Sequence, residues 1–251
     1  MLSFNNTSFL YEPYPIGVAT GVFEEPVYKQ LVESFPPVEL FDFMPLLGNK
    51  YSLSEVNNAH AYHEYVRTTP VWSEFHRWIK REEFPGEVLA MLREHKIDLE
   101  VPGRPPVNGS GGSRLKRLVF GDPGAPPPVL SARFEFSMLP AHGGFIKPHT
   151  DSPQKIITLV VAMLGKGEWN PAFGGGTDVL RPKDITNNYN FMNKYLEFDE
   201  VETLTTFEYQ PNQCVIFIKT FNSLHAVRPM TAQEGQLMRK TLTVNIEKCS
   251  Y

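Results

Sequence analysis

The spacing of hydrophobic residues predicts a mostly helical first hundred residues. Apolar side chains there recur every three to four positions, which is the period of one face of an α-helix. A Pro-Pro pair at 36–37 ends the first of these patterns, as helix-breaking residues do. The predicted amphipathic helices are 24–35, 71–80 and 85–95.

Beyond residue 129 the hydrophobic pattern takes the period of β-strands. Residues 133–138 alternate strictly between polar and apolar side chains, as a half-buried strand does. Residues 156–163 form a continuous, largely β-branched apolar run, which is typical of a strand covered on both faces. The remaining predicted strands are 203–209, 214–218 and 240–246.

Short strands separated by Gly- and Pro-rich turns predict an antiparallel barrel or sandwich. We expect residues 1–128 to form a helical region that packs on a β core of residues 129–251, the two making one structural unit. The compositions of 102–113 and 121–128 predict loops, with a candidate short strand at 115–120 between them. The Asn- and Tyr-rich interval 183–200 is interpreted as an insertion or lid loop.

Composition and charge narrow the class of protein. A hydrophobic content of 41% with 21% charged residues is that of an ordinary globular chain. The formal net charge of -4 argues against a nucleic-acid partner, which would need a basic surface. We interpret the basic strip Arg114, Lys116 and Arg117 as a solvated loop. No apolar run is long enough to predict a membrane span.

Cys214 and Cys249 are the only two cysteines, too few for a disulfide framework or a cysteine metal site. A reducing compartment is therefore expected. The first residues also lack the basic and apolar regions of a signal peptide, so the sequence predicts a cytoplasmic location. Nothing in the pattern indicates an oligomeric state.

A His-x-Asp motif and one distant histidine are the candidate metal ligands. His149 and Asp151 are two residues apart, so on an extended segment their side chains point the same way. His225 follows the predicted strand 214–218. Two imidazoles and one carboxylate leave three octahedral positions open, which is the arrangement that non-haem Fe(II) oxygenases need. Taken alone, the pair could equally be an ordinary surface His-x-Asp.

The last predicted strand carries a candidate anion site. Arg239, Thr241, Thr243 and Asn245 share one face of it. A buried arginine is costly unless an anion pairs with it. A dicarboxylate could meet Arg239 through a bidentate fork, with the Thr241 hydroxyl as a further donor. The alternative is a surface arginine at the start of a strand.

Over about residues 130–247 the chain resembles the iron(II)/2-oxoglutarate-dependent dioxygenases, in particular their prolyl-hydroxylase-like branch. The matching elements occur in the order found in that family. They are 145–151 with the His-x-Asp motif, 156–163, the glycines 174–176 followed by Val179-Leu180, 214–218, His225-Ala226-Val227-Arg228-Pro229, and Arg239-Lys240-Thr241.

The resemblance implies a mainly β fold with flanking helices, a double-stranded β-helix of the jelly-roll or cupin-like kind supported by N-terminal helices. It implies that His149, Asp151 and His225 bind Fe(II), and that Arg239 with Thr241 binds the C5 carboxylate of 2-oxoglutarate. O₂ would be the oxidant, succinate and CO₂ the coproducts, and ascorbate a stimulant. An amino-acid or peptidyl residue is the leading expectation for the substrate, with a small metabolite also open.

Two features depart from the family pattern. The strand after the His-x-Asp motif lacks a tyrosine that several prolyl hydroxylases place beside 2-oxoglutarate, since 160–162 are Val, Val and Ala. The spacing from His225 to Arg239 is also longer than usual, because 231–236 forms a longer turn. That spacing leaves Arg228 as the alternative anion-binding residue.

Other interpretations of the same residues stay open. The protein could be a cupin-like metalloenzyme that does not use 2-oxoglutarate, or a barrel that binds a ligand without catalysis. Arg133 and Glu135 could meet the substrate or form an ordinary ion pair in the barrel wall. His142 is interpreted as a loop residue, and the pair His60/His63 has no third ligand in view.

Overall fold

The computed structural model describes residues 1–99, 129–235 and 237–248. Several sequence expectations lie outside these residues. They are the candidate strand 115–120, the loops 102–113 and 121–128, the basic strip at 114–117, the end of the turn at 236, and Cys249.

Two antiparallel sheets form the core of the molecule. The strands of the large sheet are β1 Thr7–Leu10, β2 Ile16–Thr20, β3 Asp42–Met44, β4 Lys50–Ser54, β5 Leu130–Pro140, β7 Lys155–Ala162, β10 Gln213–Ile218 and β12 Met238–Lys248. Those of the small sheet are β6 Ile146–His149, β8 Thr177–Pro182, β9 Val201–Phe207 and β11 His225–Val227. The large sheet has the strand order β1-β2-β10-β7-β12-β5-β4-β3, and the small sheet has the order β6-β11-β8-β9.

From β5 onwards the chain repeatedly crosses between the sheets. Strands β5, β7, β10 and β12 lie in the large sheet, while β6, β8, β9 and β11 lie in the small one. Apolar residues such as Phe217 of β10 and Val179 of β8 pack together between the sheets. Eight strands wound in this way form a jelly roll, the double-stranded β-helix. The predicted fold class, mainly β with flanking helices, is confirmed.

Four helices support the outer face of the large sheet. They are α1 Glu25–Glu33, α2 Ala59–Thr68, α3 Pro70–Ile79 and α4 Phe84–Glu94. Trp72 and Phe75 of α3 are fully buried against Phe134 and Phe136 of β5, with ring centroids 4.6 Å apart for Trp72–Phe136 and 5.2 Å for Phe75–Phe134. The three predicted helices are thus confirmed. The pattern missed α2, because only Tyr62 and Val66 of that polar segment are buried.

The description of the first part of the chain as a helical region is wrong in one respect, because it also supplies four strands to the large sheet. β2 pairs with β10 at one edge of the jelly roll, and β4 pairs with β5 at the other. These strands have three to five residues each, too few for an alternating pattern to stand out. The domain limits at 128 and 129 stay a prediction.

Strand β12 shows how the barrel interior becomes polar. Leu242, Val244 and Ile246 are fully buried in the core beneath the helices. Thr241 and Thr243 alternate with them and therefore face the small sheet, where both line the cavity between the sheets. The large sheet thus turns an apolar face to the helices and a largely polar face to the interior.

No helix in the described ranges is long and apolar enough to cross a membrane. Cys214, on β10, is a buried free thiol in the hydrophobic core between the large sheet and the helices.

Candidate metal centre and anion site

The His-x-Asp motif lies where β6 ends. His149 is the last residue of β6, and Asp151 has a backbone φ of 65°, in the left-handed region. The segment is therefore not a plain strand at Asp151, unlike the extended segment that the motif suggested. Three hydrogen bonds hold this turn: Lys219 Nζ donates to Thr150 O, Thr150 Oγ1 and Asp151 O at 2.9, 2.9 and 2.8 Å. A sparsely populated backbone conformation persists only where its surroundings fix it in this way.

His225 lies on β11, directly opposite His149 of β6 in the sheet register. The two rings are 4.4 Å apart between centroids. One nitrogen of each ring and one Asp151 oxygen lie within 4.8 Å of one another. Among the residues that the structure describes, no other three His, Cys, Asp or Glu side chains form such a group, so His60 and His63 have no comparable site.

Backbone carbonyls fix the proton on each imidazole. Nδ1 of His149 lies 2.9 Å from Lys147 O, and Nδ1 of His225 lies 3.0 Å from Ser223 O. A carbonyl oxygen can only accept, so Nδ1 carries the proton on both rings. The Nε2 lone pairs are left free, as a metal ligand requires.

The Asp151 carboxylate is held from two sides. Thr158 Oγ1 donates to Oδ2 at 3.0 Å, and Lys155 Nζ donates to Oδ1 at 3.2 Å. Burial alone would raise the pKa of this carboxyl, but the Lys155 ammonium, the two imidazoles and the Thr158 hydroxyl together hold the pKa below its usual range. Asp151 is therefore ionised at neutral pH.

Both imidazoles are neutral at the same pH. Burial, together with the neighbouring His225 ring, lowers the pKa of His149 to about 3. Burial also lowers the pKa of His225. Two neutral imidazoles and one ionised carboxylate match the protonation state that a divalent transition metal binds. The donor set fits such an ion.

A cavity of about 120 Å³ opens beside this cluster, between the two sheets. His149, Asp151 and His225 line it, together with side chains from the inner face of the large sheet. On that inner face, residues of neighbouring strands lie side by side in three rows, which run from β7 through β12 to β5 and, in the last two rows, on to β4. The rows are Thr158–Asn245–Arg133, Val160–Thr243–Glu135–Ser54 and Ala162–Thr241–Ser137–Ser52.

Arg239 lines the same cavity and is buried, with 6% of its surface exposed. Its Nε donates to Gly175 O at 2.6 Å, and its guanidinium lies 4.7 Å from the centre of the Tyr209 ring. Burial lowers the pKa of Arg239. Because the ordinary pKa of a guanidinium is very high, the group nevertheless stays charged. Within the described residues no carboxylate pairs with it. Thr241 follows on the same face and also lines the cavity.

Arg228, the alternative anion binder, does not line the cavity. It is half exposed, with its Nε 2.9 Å from Asp178 Oδ2, and it donates to Thr203 Oγ1 at 2.6 Å. These contacts tie Arg228 to β8 and β9, so its charge already has an acidic partner. The structure brings Arg239, and not Arg228, to the cavity beside the candidate metal ligands.

The other candidates from the sequence have separate places. Arg133 forms a bidentate pair with Glu247, at 3.0 and 2.8 Å. Glu135 lines the cavity and accepts a hydrogen bond from Lys50 Nζ at 2.8 Å. His142 lies outside the cavity with Nδ1 2.9 Å from Ala232 O, in agreement with its interpretation as a loop residue.

Sequence reasoning missed three lysines near the site. Lys155 follows Asp151 by four residues, a spacing that could have indicated a contact, whereas Lys50 and Lys219 reach the site from distant parts of the chain. Thr158 was recognised only as part of an apolar strand.

No protein-family model matches the sequence, and a search of curated proteins also finds no match. A search of solved structures does find similar chains. A Pseudomonas putida prolyl-4-hydroxylase is 12% identical with a TM-score of 0.46, covering 93% of this chain and 92% of that one. A viral collagen prolyl hydroxylase from Paramecium Bursaria Chlorella virus-1, in a 2-oxoglutarate complex, is 10% identical with a TM-score of 0.45, covering 94% and 96%.

HygX from Streptomyces hygroscopicus, with nickel and 2-oxoglutarate bound, is 12% identical with a TM-score of 0.48, covering 98% of this chain and 84% of that one. In the order of its motifs, in its jelly-roll fold and in its His-Asp-His cluster, the chain resembles the iron(II)/2-oxoglutarate-dependent dioxygenases of the prolyl-hydroxylase-like branch.

Proposed function

We propose that this protein is an Fe(II)- and 2-oxoglutarate-dependent dioxygenase. One observation supports the proposal above the others. A single cavity is lined both by a three-ligand cluster suited to a divalent metal and by a buried arginine without an acidic partner in the described residues. The cluster would bind the metal, and the arginine would bind an anionic cosubstrate in the same cavity.

His149 and His225 would hold the iron through their Nε2 atoms, and Asp151 would hold it through a carboxylate oxygen. When 2-oxoglutarate and O₂ are also bound, the iron would couple two reactions. These are the decarboxylation of 2-oxoglutarate, which gives succinate and CO₂, and the oxidation of a C–H bond. The protein's part is to fix the ligands. Thr158 and Lys155 orient the carboxylate, and the carbonyls of Lys147 and Ser223 orient the imidazoles.

Arg239 and Thr241 would bind the distal carboxylate of 2-oxoglutarate. The Gly175 carbonyl and the Tyr209 ring restrain the Arg239 side chain before any ligand arrives. Gly175 has a φ of 84°, and a Cβ there would lie 2.9 Å from Trp169 and 3.3 Å from Arg239 Cδ. A glycine is therefore needed for the close approach that restrains the guanidinium.

The proposed reaction is hydroxylation of an amino-acid or peptidyl residue, or of a small metabolite. The test is succinate formation from 2-oxoglutarate in the presence of Fe(II), O₂ and ascorbate, with a panel of amino acids, peptides and metabolites. We expect succinate with the parent protein and none with His225→Ala. A protein that retains metal but forms no succinate with any compound would indicate a cupin-like metalloenzyme. One that binds neither metal nor dicarboxylate would indicate a ligand-binding barrel.

A further inference from the structure

The cavity carries charged side chains besides the proposed metal ligands and Arg239. Lys50 on β4, Glu135 on β5 and Lys155 on β7 all line it. Their side chains are 20%, 14% and 20% exposed. Three strands of the large sheet thus bring three charged side chains to one wall of the cavity. Charged side chains are usually exposed to water, whereas these three are largely buried.

Lys50 and Glu135 retain capacity to bind a ligand. Lys50 Nζ donates to Glu135 Oε1 at 2.8 Å, while Glu135 Oε2 lies 4.0 Å from the nearest Arg133 nitrogen. An ammonium has three donors, and a carboxylate can accept about four hydrogen bonds. The Lys50–Glu135 pair is therefore partnered without being saturated.

An apolar ligand fits this wall poorly. It would remove water from Lys50, Glu135 and Lys155 without replacing the lost hydrogen bonds. A charged group that is left buried and unsatisfied is destabilising. A ligand that enters the cavity must therefore carry polar groups of its own.

The signs of the charges narrow the class of ligand further. Among the described residues that line the cavity, Lys50, Lys155 and Arg239 are positive, and Glu135 and Asp151 are negative. A divalent metal and a dianionic cosubstrate would cancel each other. The cavity lining then offers partners of both signs, with one positive charge in excess, so a substrate carboxylate has a partner there. Because Asp151 would hold the metal, Glu135 is the acidic side chain left in this wall to meet a cation.

We propose that the substrate is a small zwitterion, an amino acid with free amino and carboxyl groups. Its ammonium binds Glu135, and its carboxylate binds on the Lys50 and Lys155 side of the wall. This inference rests on the proposed function, because the balance of charge includes the metal and the dicarboxylate. It deepens that function by naming the substrate class.

The first test compares matched ligands. Calorimetry would measure binding of the free L-amino acids, and of the N-acetyl and amide derivatives of each, to Ni(II)-loaded protein with 2-oxoglutarate, conditions chosen to avoid turnover. We expect at least one free amino acid to bind about tenfold more tightly than both of its derivatives. Equal binding of the free and derivatised forms, or no binding of any free amino acid, would overturn the proposal.

The second test assigns the two ends of the ligand. Glu135→Gln should reduce the preference for the free amine over its N-acetyl form, and Lys50→Met should reduce the preference for the free carboxylate over its amide. Glu247→Gln is the matched control, because Glu247 also forms a cross-strand ion pair in the large sheet but does not line the cavity. Thermal melting of each variant checks folding. If Glu135→Gln is unstable, Glu135→Asp is tested in its place, and it should retain the amine preference because it keeps the carboxylate.

The two proposals can fail separately. Succinate formation without any preference for zwitterions would leave the proposed function standing and remove the substrate class. Zwitterion binding by a protein that forms no succinate would remove the proposed function, and the wall would then be the binding site of a ligand-binding barrel.

Discussion

At the scale of single residues, Asp151 depends on contacts with three different side chains. Thr158 and Lys155 bind its carboxylate, and Lys219 binds its backbone and that of Thr150. Its left-handed backbone conformation is unusual for a residue with a side chain. The position of the carboxylate is thus set by residues from two separate segments, β7 and the residue that follows β10.

Replacing Asp151 with Ala should remove metal binding, because the carboxylate is the ligand that offsets the charge of the cation. We expect the dissociation constant for Fe(II), measured by anaerobic titration, to rise by at least about a hundredfold. Asp178→Ala is the control, since Asp178 is also buried but lies outside the cluster. Equal losses in both variants would show that the effect is structural.

Replacing Lys219 with Met should weaken metal binding without touching a ligand. The three hydrogen bonds that hold the turn at Thr150 and Asp151 would be lost, and we expect about a ten- to hundredfold loss of affinity. Lys219→Arg should recover part of it, and Lys147→Met, which breaks an exposed pair with Glu197, should not change it. If Lys219→Met lowers only the melting temperature of the metal-free protein, Lys219 does not position the metal site.

Arg239 and Arg228 make a matched pair for the anion site. Arg239→Met should raise the 2-oxoglutarate concentration needed for half-maximal turnover by at least about tenfold, on the order of 1.4 kcal/mol. Metal affinity should stay at the parent value, because no ligand is altered. Arg228→Met should leave the 2-oxoglutarate requirement unchanged, and the reverse result would assign the anion site to Arg228.

The residues around the metal could be predicted only in part. The proposed ligands stood out because His149 and Asp151 are close in sequence and His225 follows a clear strand. Lys50 and Lys219 could not be predicted, because each reaches the site through tertiary folding and neither has a local pattern. The exclusion of Arg228 also needed the structure, since its partner Asp178 lies on another strand.

At the scale of elements, hydrogen bonds hold the segment 183–200 against β6, the strand that carries His149. Leu196 N donates to Pro148 O at 3.0 Å, and Thr150 N donates to Asn193 Oδ1 at 3.3 Å. The Tyr195 ring lies 5.7 Å from the His149 ring. The sequence marked this interval as an insertion, and its contacts show that it packs against β6 beside the site.

Helix α3 should contribute strongly to stability through Trp72. This side chain is fully buried, and its Nε1 donates to Ser34 O at 2.6 Å. We expect Trp72→Ala to lower the free energy of unfolding by about 3–5 kcal/mol in urea denaturation. Trp78→Ala, on the same helix but only partly buried, should cost clearly less. Equal costs would contradict the packing of α3 on the large sheet.

The jelly-roll strands β5, β7, β9, β10 and β12 were predictable, because each has six or more residues with a strand-like pattern. Strand β8 was not predicted, and neither were β6 and β11. Those two have four and three residues, yet they carry His149 and His225. Their residue types suggested the candidate ligands, while the pairing of the two strands could not be predicted. The helix α2 was missed for a related reason, since too few of its residues are apolar to show a period.

At the scale of the whole molecule, burial of the imidazoles should make the metal-free protein sensitive to acid. The pKa of His149 is about 3 in the folded state and 6.5 for an ordinary histidine. Between these values the unfolded chain binds a proton that the folded chain does not, so stability falls as the pH falls below about 6.5. We expect a slope of up to about 1.4 kcal/mol per pH unit for each such imidazole.

Urea unfolding in the presence of a chelator, at a series of pH values from about 7 down to 4.5, would measure this slope. His149→Gln removes one titrating group and should make the dependence shallower. An unchanged slope in that variant would mean that His149 does not cause the acid sensitivity.

The central position of β12 has a consequence for biosynthesis. Strand β12 lies between β5 and β7, and Leu139 of β5 pairs with Arg239. A ribosome makes β5 and β7 before β12, so the two strands that flank β12 cannot pair with it until β12 has been made. Until then their apolar outer faces and unpaired edges stay open to other chains. The large sheet can therefore be completed only after β12 has left the ribosome, and a chaperone that covers β5 and β7 until then would protect them from aggregation.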